Sequence, residues 1–536
     1  IAQWIELVRP KDKMWVRFLL GAQLKTLLLC ILLLQIASYK NMIKKIPSQV
    51  IEVLKKIEEA GFEAYVVGGC VRDLLLDKLP KDWDITTNAK PDEVVGIFPD
   101  SFYENDFGTV GVKVEKFIKN VNGLLKEERE HDVIEVTTYR IESIYSDRRR
   151  PDEVKFATTL EEDLSRRDFT MNAIALRVKK QKKSDFEIVD LYGGQDDIKN
   201  KIIKTVGDAN ERFGEDALRM IRAIRFHAEL NFEIEKDTFE AIKKNAALVD
   251  HVALERIKDE LTRVVLSENP AEGIDMMHRT GLLVHVIPEL ESGVGVAQNR
   301  HHIHTIYKHA ILALKYCPSK KLNVRLAALF HDIAKPQTKR GEGLYATFYN
   351  HDHVGAKIVR KILTRLRFSN EVIDNVSMLV DNHMFYYNPD EVGEASVRRL
   401  IKKVGLDNMK DLMDLRISDR LGSGTPKAKP YKLRHLEYVI EKVSKDAVSV
   451  KMLKINGNDL MKDLALVPGP KIGAILEVLL AEVIEDAQKN NREYLLIRAK
   501  ELSEEDLQKL REMAKEKIEE KKEEDDKEIK EKHWVK

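Results

Sequence analysis

An apolar run of four residues, AYVV at 64–67, ends abruptly in two glycines, and the chain resumes as CVRDLLL. Few conformations accommodate that order. A buried strand must break at Gly68 and Gly69 and turn into a helix over 71–76, because glycine tolerates backbone angles and close approaches that a side chain forbids. Such a turn lets the backbone come close to a phosphate. The next helix would present free N–H groups, with Arg72 in its first turn placed to grip phosphate bidentately. A purely structural tight turn has the same pattern, so the glycines alone leave both readings open.

Around this turn the hydrophobic spacing predicts a helix over 48–60 and strands over 84–86, 109–114, 133–139 and 153–157, from their β-branched alternation. From "LNFEIEKDTFEAIKKNAALV" onward the 3.6-residue period takes over and helices dominate. The fold class is therefore α+β. At 536 residues, and about 150 per domain, three or four domains are expected, with Pro- and Gly-punctuated boundaries at 287–295 and 421–430. A net charge of +1 supplies no global field for nucleic acid, so any basic surface must be local. Three widely spaced cysteines exclude a disulfide scaffold and fit a reducing, cytoplasmic setting. The apolar run 27–37 is shorter than the ~20 residues a spanning helix needs, so no membrane association is expected. We read 1–41 as an extension upstream of a chain that starts in earnest at Met42, with a targeting segment as the competing reading. The charged tail 503–536 reads as a solvated helix with i, i+4 ion pairs.

The segment "KDWDI" sets Asp82 and Asp84 two residues apart. On a strand such residues face the same way, and two converging carboxylates repel unless a cation lies between them. A hard divalent ion such as Mg²⁺ takes this kind of oxygen pair together with substrate phosphates. Glu135, carried on the strand expected in "DVIEVTTYR", is a candidate third carboxylate. A surface turn is the competing reading for the pair alone.

Order and spacing add weight. "GGCVRDLLL…PKDWDITTNAKPDEV", then "EVTTYRIESIYSDRRRPDEVKFATTLEEDLSRRDFTMNAIAL", then "IVDLYGGQDDIKNKIIKTVGDANERFGEDALRMIRAIRF" together resemble the class II tRNA CCA-adding enzymes and bacterial poly(A) polymerases, over about 46–290 and beyond. The resemblance implies an N-terminal mixed β-sheet nucleotidyltransferase head followed by all-α neck, body and HD domains. It implies that Asp82 and Asp84 bind Mg²⁺, and that Gly68, Gly69 and Arg72 hold the triphosphate. Arg167 would hold nucleotide phosphate, with Asp168 and Asn172 near the ribose.

"GEDALRMIRAIRF" is helical by composition, which makes Asp216 and Arg219 neighbours on one face. A surface ion pair is the plain reading. The chemical reading is that aspartate accepts from an amino group while arginine donates to a ring nitrogen. Cytosine and adenine present that order; guanine and uracil present the reverse. In the family this pair is the amino-acid template, and Asp216, Arg219 and Arg222 fall on it. Arg225 continues the row, but three-residue steps drift about 60° each, which turns it nearly opposite Asp216. "IESIYSDRRRPDEV" matches the family's flexible loop, with Arg148 where many members have glycine.

A second constellation lies downstream. His309, His331, Asp332, His351, His383 and Asp419 stand in "HHIHTIYKHAILAL", "LAALFHDIAKPQT", "FYNHDHVGAKIV", "LVDNHMF" and "LRISDRLGSG". Imidazoles and carboxylates in this density suit a transition-metal or mixed divalent site. The series resembles the HD phosphohydrolase domain, which implies that His309, His331, Asp332 and Asp419 hold one metal, and that His351 and His383 serve a second metal or phosphate. His301, His302, His304 and His353 read as surface or core histidines. Lys335 reads as a phosphate contact or a plain helix-end lysine. "GPKIG" marks a helix start or an RNA-phosphate contact, and "SVRRLIKKVG" and "PKAKPYKLR" are local basic runs.

The domains expected are a head over 42–185, a helical neck and body over 186–290, an HD domain over 291–425 and a helical tRNA-binding region over 426–502. The activity expected is untemplated addition of C, C and A to tRNA from CTP and ATP with Mg²⁺. The HD site would add a phosphohydrolase activity with a second divalent metal. An A-adding enzyme, a poly(A) polymerase, or an HD phosphohydrolase with an RNA-binding head are the alternatives.

Overall fold

The computed structural model describes residues 45–105, 108–115, 131–142, 154–178, 186–299, 303–425, 428–445, 450 and 453–535. The expectations for 1–41, for the loop 143–153 with Arg148, and for His301 and His302 lie outside the described residues. The chain forms two compact units, 1–288 and 289–536.

In the first unit, α1 (Ser48–Glu59) buries Val50, Val53, Leu54 and Ile57, the i, i+3, i+4, i+7 face of an amphipathic helix. β1 (Ala64–Val67) follows, with all four residues buried. Then come α2 (Gly69–Leu75), β2 (Asp84–Thr87), α3 (Pro91–Ile97), β3 (Ser101–Asn105), β4 (Thr109–Glu115) and β5 (His131–Thr138). A ribbon of β6 (Arg140–Glu142) and β7 (Val154–Phe156) precedes β8 (Ile174–Val178) and β9 (Phe186–Asp190). The main sheet has the order β3-β4-β5-β2-β1-β8-β9. β2 and β5 run parallel and the remaining neighbours antiparallel, so the sheet is mixed as expected.

Several expectations need correction. The strand expected over 153–157 does not join the sheet; β7 pairs only with β6. β3, β8 and β9 had no counterpart in the sequence reading. SFYEN and FEIVD place acids within short runs, and their strand state comes from hydrogen-bonded neighbours rather than from their own alternation. Asp82 precedes β2 in a bend, so only Asp84 is on the strand. Trp83, between them, is 4% exposed and anchors the segment.

At the far end of β3, Phe102 is paired across from Gly111 of β4. A Cβ on Gly111 would meet the Phe102 ring at 2.6 Å, so the tip of the ring occupies the space that a side chain there would take. Helices complete the unit: α4 (Ala209–Glu215), α5 (Leu218–Leu230), α6 (Lys236–Asn245), α7 (Leu254–Leu266) and α8 (Pro270–Arg279). Asp216, expected inside a continuous helix with Arg219, instead breaks it. Its backbone is extended (φ −142°, ψ 102°), its main-chain oxygen accepts from Arg219 N–H at 3.0 Å, and its Oδ1 accepts from Leu218 N–H at 3.1 Å. The aspartate thus caps α5 rather than riding on it, the conformation such a side chain favours over a helix interior.

The second unit is helical: α9 (Ile306–Lys315), α10 (Leu322–Phe330), α11 (His351–Arg365), α12 (Asn370–Asn382) and α13 (Leu406–Gly422) surround one core. α9 and α13 approach so closely that a Cβ on Gly422 would meet Ala313 N at 2.8 Å. A separate apolar cluster joins α14 (Pro470–Glu485), the helix Arg492–Leu502 and the start of α15 (Leu507–His533). Gly469 and Pro470 of "GPKIG" do begin a helix. Among the described residues no helix is long and apolar enough to cross a membrane.

Candidate active site and candidate metal centre

Gly68 holds φ +83°, a conformation open to glycine and rarely to other residues, and donates its N–H to Ile174 O at 3.3 Å. A Cβ there would meet Arg167 Nη1 at 3.1 Å and lie 3.7 Å from Asp84 Oδ2. The missing side chain is what allows this guanidinium and this carboxylate to converge on the turn. Both border a cleft of about 790 Å³, which Gly68, Gly69, Arg72, Asp82, Asp168, Asn172, Arg222 and Arg225 also line.

The cleft has an acidic end. Asp84 and Glu135 are direct partners in the parallel β2–β5 register, so their side chains share one face of the sheet, and Glu135 N–H donates to Trp83 O at 3.1 Å. Burial pushes the Asp84 carboxyl up; Arg167 opposes this, while Asp82 and Glu104 push it further. Burial, followed by repulsion from Asp84, Glu104 and Asp82, pushes Glu135 up to about 7. These acids are short of positive charge, which is the condition a hard divalent cation relieves. The donor set therefore fits Mg²⁺. Glu104, on β3, belongs to the cluster by its field and was not foreseen; it enters through the β3–β4–β5 pairing, which local sequence does not show.

Opposite lies a basic wall. Arg72 donates from Nη1 to Asn172 Oδ1 at 2.9 Å, and from Nε and Nη2 to Asp73. Arg222 forks onto Asp168 Oδ2 from Nε at 2.9 Å and Nη2 at 2.7 Å. Asp168 Oδ1 accepts from Asn172 Nδ2 at 3.0 Å and from Phe169 N–H at 2.8 Å. Burial would raise the Asp168 carboxyl, but Arg222 and Asn172 outweigh it and hold it down to about 2. Arg72, Arg222 and Arg225 all stand over the ring of Phe226, at 5.1, 5.7 and 4.0 Å from its centroid. Phe226 was not foreseen, and neither was Asp163, whose fully buried carboxylate ties Arg166 at 2.5 Å and Arg167 at 3.1 Å. Burial raises that carboxyl and the two guanidiniums more than reverse it, to about 2.

Asp216 and Arg219 are not among the residues lining the cleft. Arg256 forks onto Asp216 at 2.7 and 3.3 Å. Arg219 is buried, reaching Glu215 at 2.7 Å and the carbonyls of Arg166 and Arg212. Arg225, expected nearly opposite Asp216, borders the cleft that Asp216 does not, with Nε on Glu260 at 2.5 Å.

In the second unit the six expected residues converge. His309 Nε2 lies 3.0 Å from His331 Nε2, 3.2 Å from Asp332 Oδ2 and 3.3 Å from Asp419 Oδ1. His351 and His383 present Nε2 to Asp332 Oδ1 at 3.3 and 3.8 Å. His309, His331 and Asp332 form one group able to share an ion, and Asp332, His351 and His383 another. Three of the rings are fixed alike: Nδ1 of His331, His351 and His383 meets the carbonyl of Ala328, Phe348 and Val380 at 2.9, 2.7 and 2.7 Å. That contact orients Nε2 as a lone-pair donor toward the centre, the arrangement metal-binding imidazoles adopt. Burial lowers His383 to about 3, and its electrostatic interaction with the neighbouring His331 adds to this. The donor set fits a transition metal. Lys335 is buried and joins Asp332 and Gln298, each at 2.7 Å. A cavity of about 630 Å³ opens onto Asp332, His351, His383 and Asp419, with Arg416 and Arg420 on its wall. His353 is a surface residue paired with Asp381.

Known proteins match along much of the chain. Residues 64–204 match the family of the poly A polymerase head domain, 231–293 that of the "Probable RNA and SrmB- binding site of polymerase A", and 338–499 that of tRNA nucleotidyltransferase domain 2. A CCA-adding enzyme of Limosilactobacillus reuteri is 32% identical over 457 residues, covering 84% of this chain and 96% of that protein. One from Enterococcus faecalis is 33% identical over 460 residues, covering 84% and 94%. The crystal structure of the Bacillus stearothermophilus CCA-adding enzyme in complex with CTP superposes with a TM-score of 0.55 at 25% identity, covering 85% of this chain and 97% of that one. With its strand–glycine–helix turn, its acidic cluster and its arginine wall in one cleft, the chain belongs to the CCA-adding enzymes, a family of nucleotidyltransferases.

Proposed function

We propose that this protein adds C, C and A in turn to the 3′ end of tRNA, using CTP and ATP and releasing pyrophosphate. The tRNA 3′-hydroxyl oxygen bonds to the nucleotide α-phosphorus, the bond to the β-phosphate bridging oxygen breaks, and the hydroxyl proton is lost. The observation that carries this reading is the meeting of Asp84 and Arg167 at the Gly68 turn, with Glu135 beside Asp84 in the β2–β5 register. Asp82, Asp84 and Glu135 would hold Mg²⁺, which when bound supplies activation of the attacking hydroxyl and charge neutralisation at the phosphates. Gly68 and Gly69 let the triphosphate approach the backbone, and Arg72 and Arg167 face its negative charge. Asp168 and Asn172 border the cleft where a ribose would sit, and their hydrogen bonds to Arg222 and Arg72 keep that wall in place. Asp216 and Arg219 would choose the base, with Arg222 and Arg225 beside them. The domain limits are those of the sequence reading, and the setting is cytoplasmic.

The test uses tRNA ending at its discriminator base, offered each nucleotide separately and together. A CCA-adding enzyme stops after three additions. An A-adding enzyme acts only when CC is already present, and a poly(A) polymerase runs on; either result would replace this reading.

The buried histidine–aspartate centre supports a second activity. His309, His331, Asp332, Asp419, His351 and His383 would hold divalent metal, which when bound supplies an activated water for phosphoester hydrolysis. Arg416, Arg420 and Lys335 stand where a phosphate would enter. Divalent-dependent phosphodiesterase activity that disappears in His331→Ala, with CCA addition retained, is the expected result. No hydrolysis by the unaltered protein with Mn²⁺, Co²⁺, Ni²⁺ or Mg²⁺ would refute it.

A further inference from the structure

α7 carries two charges one turn apart, Arg256 and Glu260, and both reach the row of residues that begins at Asp216. Arg256 forks onto the Asp216 carboxylate, Nη2 to Oδ2 at 2.7 Å and Nη1 to Oδ1 at 3.3 Å. Oδ1 also accepts from Leu218 N–H. A carboxylate has about four acceptor positions. Three are taken by these described contacts, and the one remaining is on Oδ2. Its direction is set by the plane of the guanidinium fork. Four residues on, Glu260 is 6% exposed and accepts from Arg225 Nε at 2.5 Å, with Arg222 Nη1 at 3.6 Å from its other oxygen. Arg222 is simultaneously forked onto Asp168 in the cleft.

We propose that α7 is the brace of the nucleotide-reading row. Arg256 is a positioning residue that leaves Asp216 a single, fixed acceptor, and Glu260 is a positioning residue that aligns Arg222 and Arg225 along the cleft. The inference rests on the reading of Asp216 as a base-choosing residue. One free acceptor matches one exocyclic amino group, the feature cytosine and adenine share. Loss of the fork frees the carboxylate to rotate and to meet other donors, so Arg256 governs choice between bases. Glu260 acts on arginines that bear charge toward phosphate and ribose, so it governs how tightly every nucleotide is held.

The two roles separate in kinetics. The experiment measures kcat/KM for CTP and for UTP on tRNA lacking CCA, and for ATP and GTP on tRNA ending in CC. It compares the full-length protein with R256M, R256K, E260Q and D216A. A charged hydrogen bond is worth roughly a tenfold or greater factor. R256M should therefore lower CTP-over-UTP and ATP-over-GTP selectivity about tenfold or more. R256K keeps the charge but not the fork, and should lose most of the same selectivity. E260Q should raise KM for CTP and ATP together, with selectivity kept. A merely structural role would move thermal stability and leave the selectivity ratios alone. Arg256 is 40% exposed, so its truncation leaves the core intact. Full selectivity in R256M together with lost selectivity in D216A would overturn the proposal while sparing the reading beneath it. Full selectivity in D216A would overturn both.

Discussion

The cleft of the first unit and the histidine–aspartate centre of the second are two answers to the problem of gathering negative and metal-binding groups. In the cleft the donors are oxygens on adjacent strands. They leave Glu135 raised to about 7, with Arg167 the counter-charge in closest play. In the second centre four imidazoles and the Asp332 carboxylate are buried together, with Asp419 half-buried beside them, and three rings are tied to backbone carbonyls. The first is incomplete without substrate phosphates, as befits an oxygen-seeking ion that keeps part of its shell open. The second is nearly a full donor set by itself, as a nitrogen-seeking metal prefers. The difference shows that a site's readiness follows from donor type: carboxylates alone repel, whereas imidazoles interleaved with carboxylates pair with them.

That contrast can be broken most sharply by crossing variants with activities. Asp84→Ala should lower nucleotide incorporation by about 10²–10³-fold or more, as loss of a central electrostatic group does, while leaving any phosphodiesterase activity unchanged. His331→Ala should do the converse. Loss of both activities in either variant would show that the two centres are not independent.

Metal should stabilise the second centre more strongly than the first. A ligand at 100 times its Kd adds about 2.7 kcal/mol. Mn²⁺, Co²⁺ or Ni²⁺ should raise the melting temperature of the second unit. Asp332→Asn should remove that response, because Asp332 belongs to both metal-competent groups. A melting shift kept in Asp332→Asn would place the metal elsewhere.

A smaller effect belongs to Glu135. Its folded value of about 7 lies above the ordinary 4.5, so the folded state holds the extra proton between those values. Its contribution is fully present below about 4.5 and is lost as pH rises through about 7. Glu135→Gln should flatten this fall, and saturating Mg²⁺ should offset it in the unaltered protein. Urea titrations at several pH values read both. A steeper fall in Glu135→Gln would contradict the acidic crowding.

The least effect should come from Gly111→Ala, whose Cβ would press on the exposed Phe102 ring, which has room to swing aside, at a cost of about 0.5 kcal/mol. The double variant with Phe102→Ala should recover most of that loss. If it does not, the ring is not what the glycine accommodates.

Local chemistry made much of this legible. The turn at Gly68 and Gly69 is dictated by an apolar run meeting residues without side chains, and the structure bears it out with φ +83° at Gly68. The histidines and aspartates that converge in the second centre carry their donor atoms in their own side chains, so residue type and the likeness to the HD domain sufficed to single them out. The acid pair was visible, although only Asp84 is held by strand geometry, and Asp82 lies in the bend before the buried Trp83. The helix through "GEDALR" was misjudged because composition favours a helix there, whereas Asp216 is worth more as a cap for α5.

The amino-acid sequence by itself determined which groups exist and which short segments turn, because those depend on residues a few positions apart. Tertiary structure alone decided which charges meet. Phe226 receives Arg72 from 154 residues earlier in the chain, Arg256 grips Asp216 from 40 residues along the chain, and Glu260 grips Arg225 from 35. Each of those residues is unremarkable in its own helix. Its role arises when packing brings it against groups distant in the chain, a pairing that no local pattern encodes.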